Sequence, residues 1–283
     1  MKKNTIIAQL ARTGSRWQHA FLRNLGFKAF HEPTGGWPEG KFDIPLSWNH
    51  YLTTRFSCNP VNFIDNFEDS PSKTDYNRAM AEKLYGNDLR DVIENSDYIE
   101  VGYASLPYIV NVPCDWRLLG AVRHPQKWIY SAFLNRFYHN QISWKPSTLG
   151  DYAKIWNDYN SLILKHSERV FRMEDFYPMP EIFAQQFGHF APLTKEQRTI
   201  EKATTGDAFI VNSTLRINKE KELNQNDDFS WWPIVADLSE KFGYKQLSYN
   251  ELESMALIGG TSSISSTIES TNSNVAKKMP SLF

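Results

Sequence analysis

Thr5-Ile6-Ile7-Ala8-Gln9-Leu10, followed by Ala11-Arg12-Thr13-Gly14-Ser15-Arg16-Trp17, is the stretch on which the fold turns. Its first six residues are a short apolar run closed by a polar, glycine-containing turn, the pattern of a buried strand. From Ser15 the period changes. Trp17, Ala20, Phe21 and Leu25 recur at helical spacing, and Gly26 follows as a stop. The chain therefore opens strand–turn–helix. Such a turn aims several backbone N–H groups at one point, at the positive end of a helix dipole, and so suits an anion. Gly14 permits the tight turn, and Thr13 and Ser15 add hydroxyl donors. Arg12 and Arg16 add forked donors matched to phosphate or sulfate oxygens. No G-x-x-x-x-G-K-[ST] pattern lies nearby, which argues against ATP or GTP hydrolysis.

Downstream, strands alternate with helices. Tyr98 to Gly102, Leu118 to Val122 and Arg169 to Arg172 read as strands. Helical patterns cover 78–94, the stretch from Pro125 with Trp128, Ile129, Ala132 and Phe133, the stretch from Tyr152 to His166, the Pro180 to Phe187 segment, and Trp232 to Phe242 with Ile234, Val235 and Leu238 inward. This alternation predicts an α/β fold with a central parallel sheet and helices on both faces. Residues 31–76 are rich in Pro, Gly, Asn and aromatics and lack periodicity, so they read as an irregular region that shapes an acceptor pocket. Beyond Glu253 the composition collapses into Ser, Thr, Asn and Gly. The expected organisation is one domain over 1–250 and a flexible tail over 251–283.

The 283 residues suffice for a substantial core, and 41% hydrophobic with 22% charged residues is ordinary globular usage. A net charge of -1 provides no global field for nucleic acid or an anionic membrane, so an anionic ligand needs local arginines. Cys58 and Cys114 form no metal pattern or disulfide framework. The apolar run behind Met1-Lys2-Lys3-Asn4 is too short for a signal sequence, and nothing approaches the ~20 apolar residues of a membrane span. A soluble, cytoplasmic protein is expected, although a segment cut from a membrane-anchored chain would read the same way.

A second anion motif stands at Arg123-His124-Pro125, where a buried strand ends and a helix begins, with Ser131 in the second turn of that helix. An arginine at a strand end and a hydroxyl on the next helix can converge on one phosphate, since parallel-sheet ligands bind at the carboxyl ends of strands.

Together the two motifs resemble those of the PAPS-dependent sulfotransferases, which have a P-loop NTPase-like fold. Arg12-Thr13-Gly14-Ser15-Arg16-Trp17 is similar to their 5′-phosphosulfate loop, usually Arg/Lys-Ser-Gly-Thr-Thr-Trp/Phe. Arg123-His124-Pro125 with Ser131 resembles their 3′-phosphate motif, and Phe171-Arg172-Met173-Glu174-Asp175-Phe176 their later Tyr-Glu-Asp-Leu strand end. The resemblance runs from about residue 5 to 245, closing with Phe242-Gly243-Tyr244. The chain departs from the family at Gln9, where a Gly is usual, at Arg16, where a hydroxyl is usual, and in lacking the Gly-rich, lysine-containing C-terminal segment of the cytosolic animal enzymes. These departures point toward the bacterial or carbohydrate-type branch.

The resemblance implies that PAPS (3′-phosphoadenylyl sulfate) is the co-substrate, with its phosphosulfate on residues 12 to 17 and its 3′-phosphate on Arg123 and Ser131. It places Arg12 at the bridging and leaving oxygens, with Arg16 assisting, and it requires no metal. The acceptor is a hydroxyl or amine on a small molecule or glycan. Glu100 is the first candidate for general base, with His50 and Asp43 as alternatives; Glu100 reads equally as a structural buried carboxylate. His124 receives no role, His19 reads as a surface helix residue, Glu174 as a partner of loop backbone, and Arg216 as a solvated arginine or a late contact to the 3′-phosphate. Trp37, Phe42, Trp48 and Tyr51 read as core or as an acceptor platform. Two other functions remain: an atypical P-loop kinase, or a nucleotide binder of the same fold without catalysis.

Overall fold

Strand β1 (Thr5–Gln9) is buried at every position, as a strand covered on both faces requires. Helix α1 (Ser15–Asn24) follows and stops at Gly26, whose φ of 86° is open to glycine and strained for other residues. The computed structural model describes residues 4–31, 98–102, 116–136, 145–198, 219, 222–223, 225–252 and 254. Within them the order continues with β2 (Lys28–His31), β3 (Tyr98–Gly102), β4 (Arg117–Val122), α2 (Pro125–Leu134), α3 (Leu149–His166), β5 (Arg169–Arg172), α4 (Met173–Phe176), α5 (Pro180–Gln185), α6 (Lys195–Arg198) and α7 (Trp232–Lys241).

The five strands form one sheet in the order β2-β3-β1-β4-β5, and every neighbouring pair is parallel. The α/β class and parallel sheet expected from the sequence are what the chain forms. The strand in the middle, β1, has β3 on one side and β4 on the other, so successive connections diverge there. That is a topological switch point, and its carboxyl end opens a crevice.

One face of the sheet carries Ile7, Val101, Leu119 and Phe171, packed with Phe21 and Leu22 of α1 and Phe183 of α5. Helix α3 packs against β4 and β1, and α2 and α7 pack on α3. Gly120 makes the close approach of α3 possible, since a Cβ there would overlap Cγ2 of Ile163. Residues 248–254 belong to a second compact unit, Ser248–Phe283. Its described part is capped reciprocally: Ser248 N–H and Oγ–H both donate to Glu251 Oε2, at 2.9 and 2.8 Å, and Glu251 N–H returns to Ser248 Oγ.

Several details differ from the sequence expectation. Strand β2 was not foreseen. Helix α3 begins at Leu149 rather than Tyr152, because Thr148 and Asp151 form a capping box that nucleates an earlier turn. Residues 173–176, read as a strand end, make one helical turn. Ile234 is 44% exposed, whereas Val235 and Leu238 are buried as expected. The 31–76 and 78–94 segments lie outside the described residues. Among the described residues no helix is long and apolar enough to cross a membrane.

Candidate functional site

The parallel pairing of β1 with β4 brings two loops together. Gln9, the last residue of β1, lies beside Ala121, one residue before the end of β4. The chain therefore leaves both strands at the same edge, with Arg12 in one loop and Arg123 in the other. Arg123 NH1 donates to the backbone carbonyl of Arg12 at 3.1 Å. Arg12 Nε lies 3.4 Å from Ser131 Oγ on α2, at the long end of hydrogen-bond range. The resemblance assigns the two motifs to different phosphates of one nucleotide. They touch directly, so two guanidiniums and a buried hydroxyl share one corner of the crevice.

The loop between β1 and α1 has a demanding backbone. Arg12 has φ of 74° and Gly14 φ of 90°, both left-handed. For a residue with a Cβ this conformation costs roughly 1–2 kcal/mol, so Arg12 is held there by its surroundings. Trp128 of α2 donates its indole N–H to Ala11 O at 2.7 Å. Met173 lies over Gly14, where a Cβ would sit 3.0 Å from its terminal methyl. Gln9 and Gln18 exchange two amide hydrogen bonds, at 2.8 and 3.0 Å, and both are fully buried. They join the last residue of β1 to the first turns of α1 beneath the loop. Thr13 and Ser15 are buried within it. Trp128 was read only as helix core and Gln9 only as a departure from a pattern; the spacing of Gln9 and Gln18 across the turn was the signal available.

The turn after β4 is equally fixed. Trp156 of α3 donates its indole N–H to Arg123 O at 3.0 Å, and His124 N–H donates to Glu174 Oε1 at 2.9 Å. Glu174 is thus a partner of loop backbone, the role its position suggested. The other oxygen of Glu174 accepts from Tyr244 Oη at 2.6 Å. Burial first, and then the Glu174 carboxylate, push the Tyr244 phenol up well beyond its ordinary value. His124, given no role from sequence, is buried with Nε2 at 2.9 Å from Lys245 O. A carbonyl only accepts, so Nε2 carries the proton. Burial lowers the His124 pKa from 6.5 to about 4, against the Lys245 carbonyl, which favours the charged ring. His19 is half-buried rather than a surface residue, and burial, with Arg23 adding to it, lowers its pKa likewise to about 4.

Other candidates fall elsewhere. Glu100 is fully buried in the middle of β3, level with Ile6 of β1 and so three residues below the end of that strand. That depth, about 10 Å at strand spacing, favours its structural reading over a base in the crevice. Trp17 is half-buried, stacked on Phe21 at 4.9 Å and packed against Phe176 and Tyr177. Its ring belongs to the aromatic cluster joining α1, α4 and α5. Arg16 stands second in α1, and its side chain lies outside the described residues, as do Asp43, His50, Trp37, Phe42, Trp48, Tyr51 and Arg216. Among the described residues no group of three His, Cys, Asp or Glu side chains is placed to hold a metal.

No protein-family model matches the chain, and no curated protein matches it in sequence. Among solved structures it is similar to the sulfotransferase domain from the curacin biosynthetic pathway, with a TM-score of 0.52 at 12% identity over 87% of this chain and 99% of that one. A sulfotransferase from Alicyclobacillus acidocaldarius aligns over 88% of this chain and 99% of its own, with a TM-score of 0.41 at 11% identity. The first of these likenesses shows that the chain has a sulfotransferase-like fold.

Proposed function

We propose that this chain is a sulfotransferase that moves a sulfuryl group from PAPS to an acceptor hydroxyl or amine. One observation carries the proposal: Arg12, Arg123 and Ser131 meet at the switch point of a sulfotransferase-like fold, at the carboxyl ends of β1 and β4. The loop from Arg12 to Trp17 receives the 5′-phosphosulfate at the start of α1, and Arg123 with Ser131 receives the 3′-phosphate. A bond forms between the acceptor oxygen or nitrogen and sulfur. The bond from sulfur to the bridging oxygen breaks, and the acceptor proton passes to a base. Adenosine 3′,5′-bisphosphate leaves. Negative charge grows on its 5′-phosphate, and Arg12 stabilises that charge, so catalysis is mostly positioning and electrostatics. Glu100 is assigned to the sheet interior and not to the acceptor. A compact, water-filled compartment such as the cytoplasm and a small-molecule or glycan acceptor complete the reading.

The test is thermal denaturation with adenosine 3′,5′-bisphosphate against ATP with magnesium, followed by incubation with radiolabelled PAPS and a panel of glycans, phenols and lipids. Selective stabilisation by the bisphosphate, through mass action, and label transfer to one acceptor class are expected. An equal response to both nucleotides would count against PAPS. Selective binding without transfer to any acceptor would leave a nucleotide binder.

A further inference from the structure

The carbonyl of Arg123 and the N–H of His124 belong to one peptide group, and that peptide is gripped from both sides. Trp156 donates to its oxygen at 3.0 Å, and Glu174 accepts from its nitrogen at 2.9 Å. Glu174 is itself held by Tyr244, which opens a segment that returns to the same turn twice more. His124 donates to Lys245 O at 2.9 Å. The Gln126 amide gives a hydrogen bond to Leu247 O at 3.0 Å and takes one from Leu247 N–H at 2.7 Å. Behind the segment, Arg172 is locked on Asp175 by two hydrogen bonds, and its NH1 reaches the carbonyls of Phe242 and Gly243 at 3.4 and 3.1 Å. Residues 242–247 thus clasp the turn that carries Arg123, through side chains that end on backbone.

We propose that Glu174 and Tyr244 are positioning residues for Arg123: with Trp156 they fix the Arg123–His124 peptide plane and so aim the Arg123 guanidinium at the ligand's 3′-phosphate. The assignment of that ligand rests on the function proposed above. A peptide held at both its oxygen and its hydrogen cannot turn or shift without breaking a bond, so the backbone from which the arginine side chain extends is anchored. Functional constellations tolerate only roughly 0.5 Å and 10–20° of such error. Tyr244 is 8% exposed and Glu174 joins it to the turn, so loss of the phenol hydroxyl frees one oxygen of the half-buried carboxylate.

A purely structural clasp would weaken every nucleotide alike; a positioning clasp acts on the 3′-phosphate alone. The experiment measures dissociation constants by calorimetry for adenosine 3′,5′-bisphosphate and for AMP, and reads their ratio. Tyr244→Phe keeps the ring and removes only the hydroxyl. It is expected to reduce the preference for the bisphosphate roughly tenfold while AMP binding changes by less than about twofold. Glu174→Gln, which keeps an acceptor for His124 N–H, should lose less of the preference than Glu174→Ala. Leu238→Ala, in the buried face of α7, serves as a control that lowers the melting temperature and leaves the ratio intact. A wild type that prefers the bisphosphate, beside a Tyr244→Phe variant that keeps the preference or weakens both ligands equally, overturns the positioning role alone. A wild type with no preference overturns the nucleotide assignment and the ligand named here with it.

Discussion

Arg123 reaches across 111 residues of sequence to hydrogen-bond the carbonyl oxygen of Arg12, at 3.1 Å. The loop after β4 is thereby pinned to the loop after β1, at the end of two adjacent parallel strands. A multivalent anion entering that corner can meet donors from both arginines. Arg123→Ala is therefore expected to weaken adenosine 3′,5′-bisphosphate by ~1–3 kcal/mol, the scale of a charged hydrogen bond. The ligand-free melting temperature should fall slightly, because the hydrogen bond that Arg123 gives to Arg12 O is lost. Calorimetry and a melting curve on the same variant check both halves, and unchanged affinity would remove Arg123 from the site.

Arg12 occupies a backbone conformation that its Cβ resists, with φ of 74°. Arg12→Gly should relieve about 1 kcal/mol of strain, set against the greater freedom glycine brings to the unfolded chain. Stability should change little. Turnover should collapse, because the guanidinium beside Ser131, to which the proposed reaction assigns the leaving oxygens, is lost. A steady-state assay paired with denaturant unfolding separates the two effects. Wild-type turnover in a well-folded Arg12→Gly protein would withdraw the catalytic assignment.

How much of this was legible follows the range of each interaction. The edges of β3 and β5 and the first residue of α2 could be read because apolar runs and a proline mark them locally. Strand β2 was hidden because Lys28–His31 is four residues long and begins two residues after a helix stop. Arg12, Arg123 and Ser131 were legible as two local motifs, and their contact follows from the pairing of β1 with β4. Of the clasp, Glu174 was legible as a partner of loop backbone, but the contacts that complete it had no local signature. Tyr244, Lys245 and Leu247 meet the Arg123 turn through contacts spanning 70 to 122 residues, and most of those contacts use backbone atoms that any residue supplies.

Gln9 and Gln18 brace the loop between β1 and α1, since each buried amide is the other's partner. Gln9→Leu or Gln18→Leu alone leaves an amide buried without its partner, at a cost of roughly 1–3 kcal/mol. The double variant Gln9→Leu with Gln18→Leu removes both amides and should cost less than the sum of the two singles. A double-mutant cycle of unfolding free energies reads the coupling directly. Additive losses would show that the two amides do not act as a pair.

His124 ties the acid limit of stability to the same turn. In the fold its pKa is lowered from 6.5 to about 4, chiefly by burial, and His19 is lowered to a similar value. The unfolded chain protonates these rings as pH falls below about 6.5, whereas the folded chain keeps them neutral until near 4. In that window the unfolded state binds more protons, so stability falls as pH falls, by up to ~1.4 kcal/mol per pH unit for each ring. The slope from either histidine halves near 6.5 and has faded by about pH 7.5. His124→Gln places an amide donor near the position of Nε2 and cannot titrate, so its unfolding free energy should fall less steeply than wild type between pH 6.5 and about 4.5. The double variant with His19→Gln should fall less steeply still. Denaturant unfolding across that range decides the matter, and parallel curves for wild type and His124→Gln would mean that the ring is charged in the folded protein.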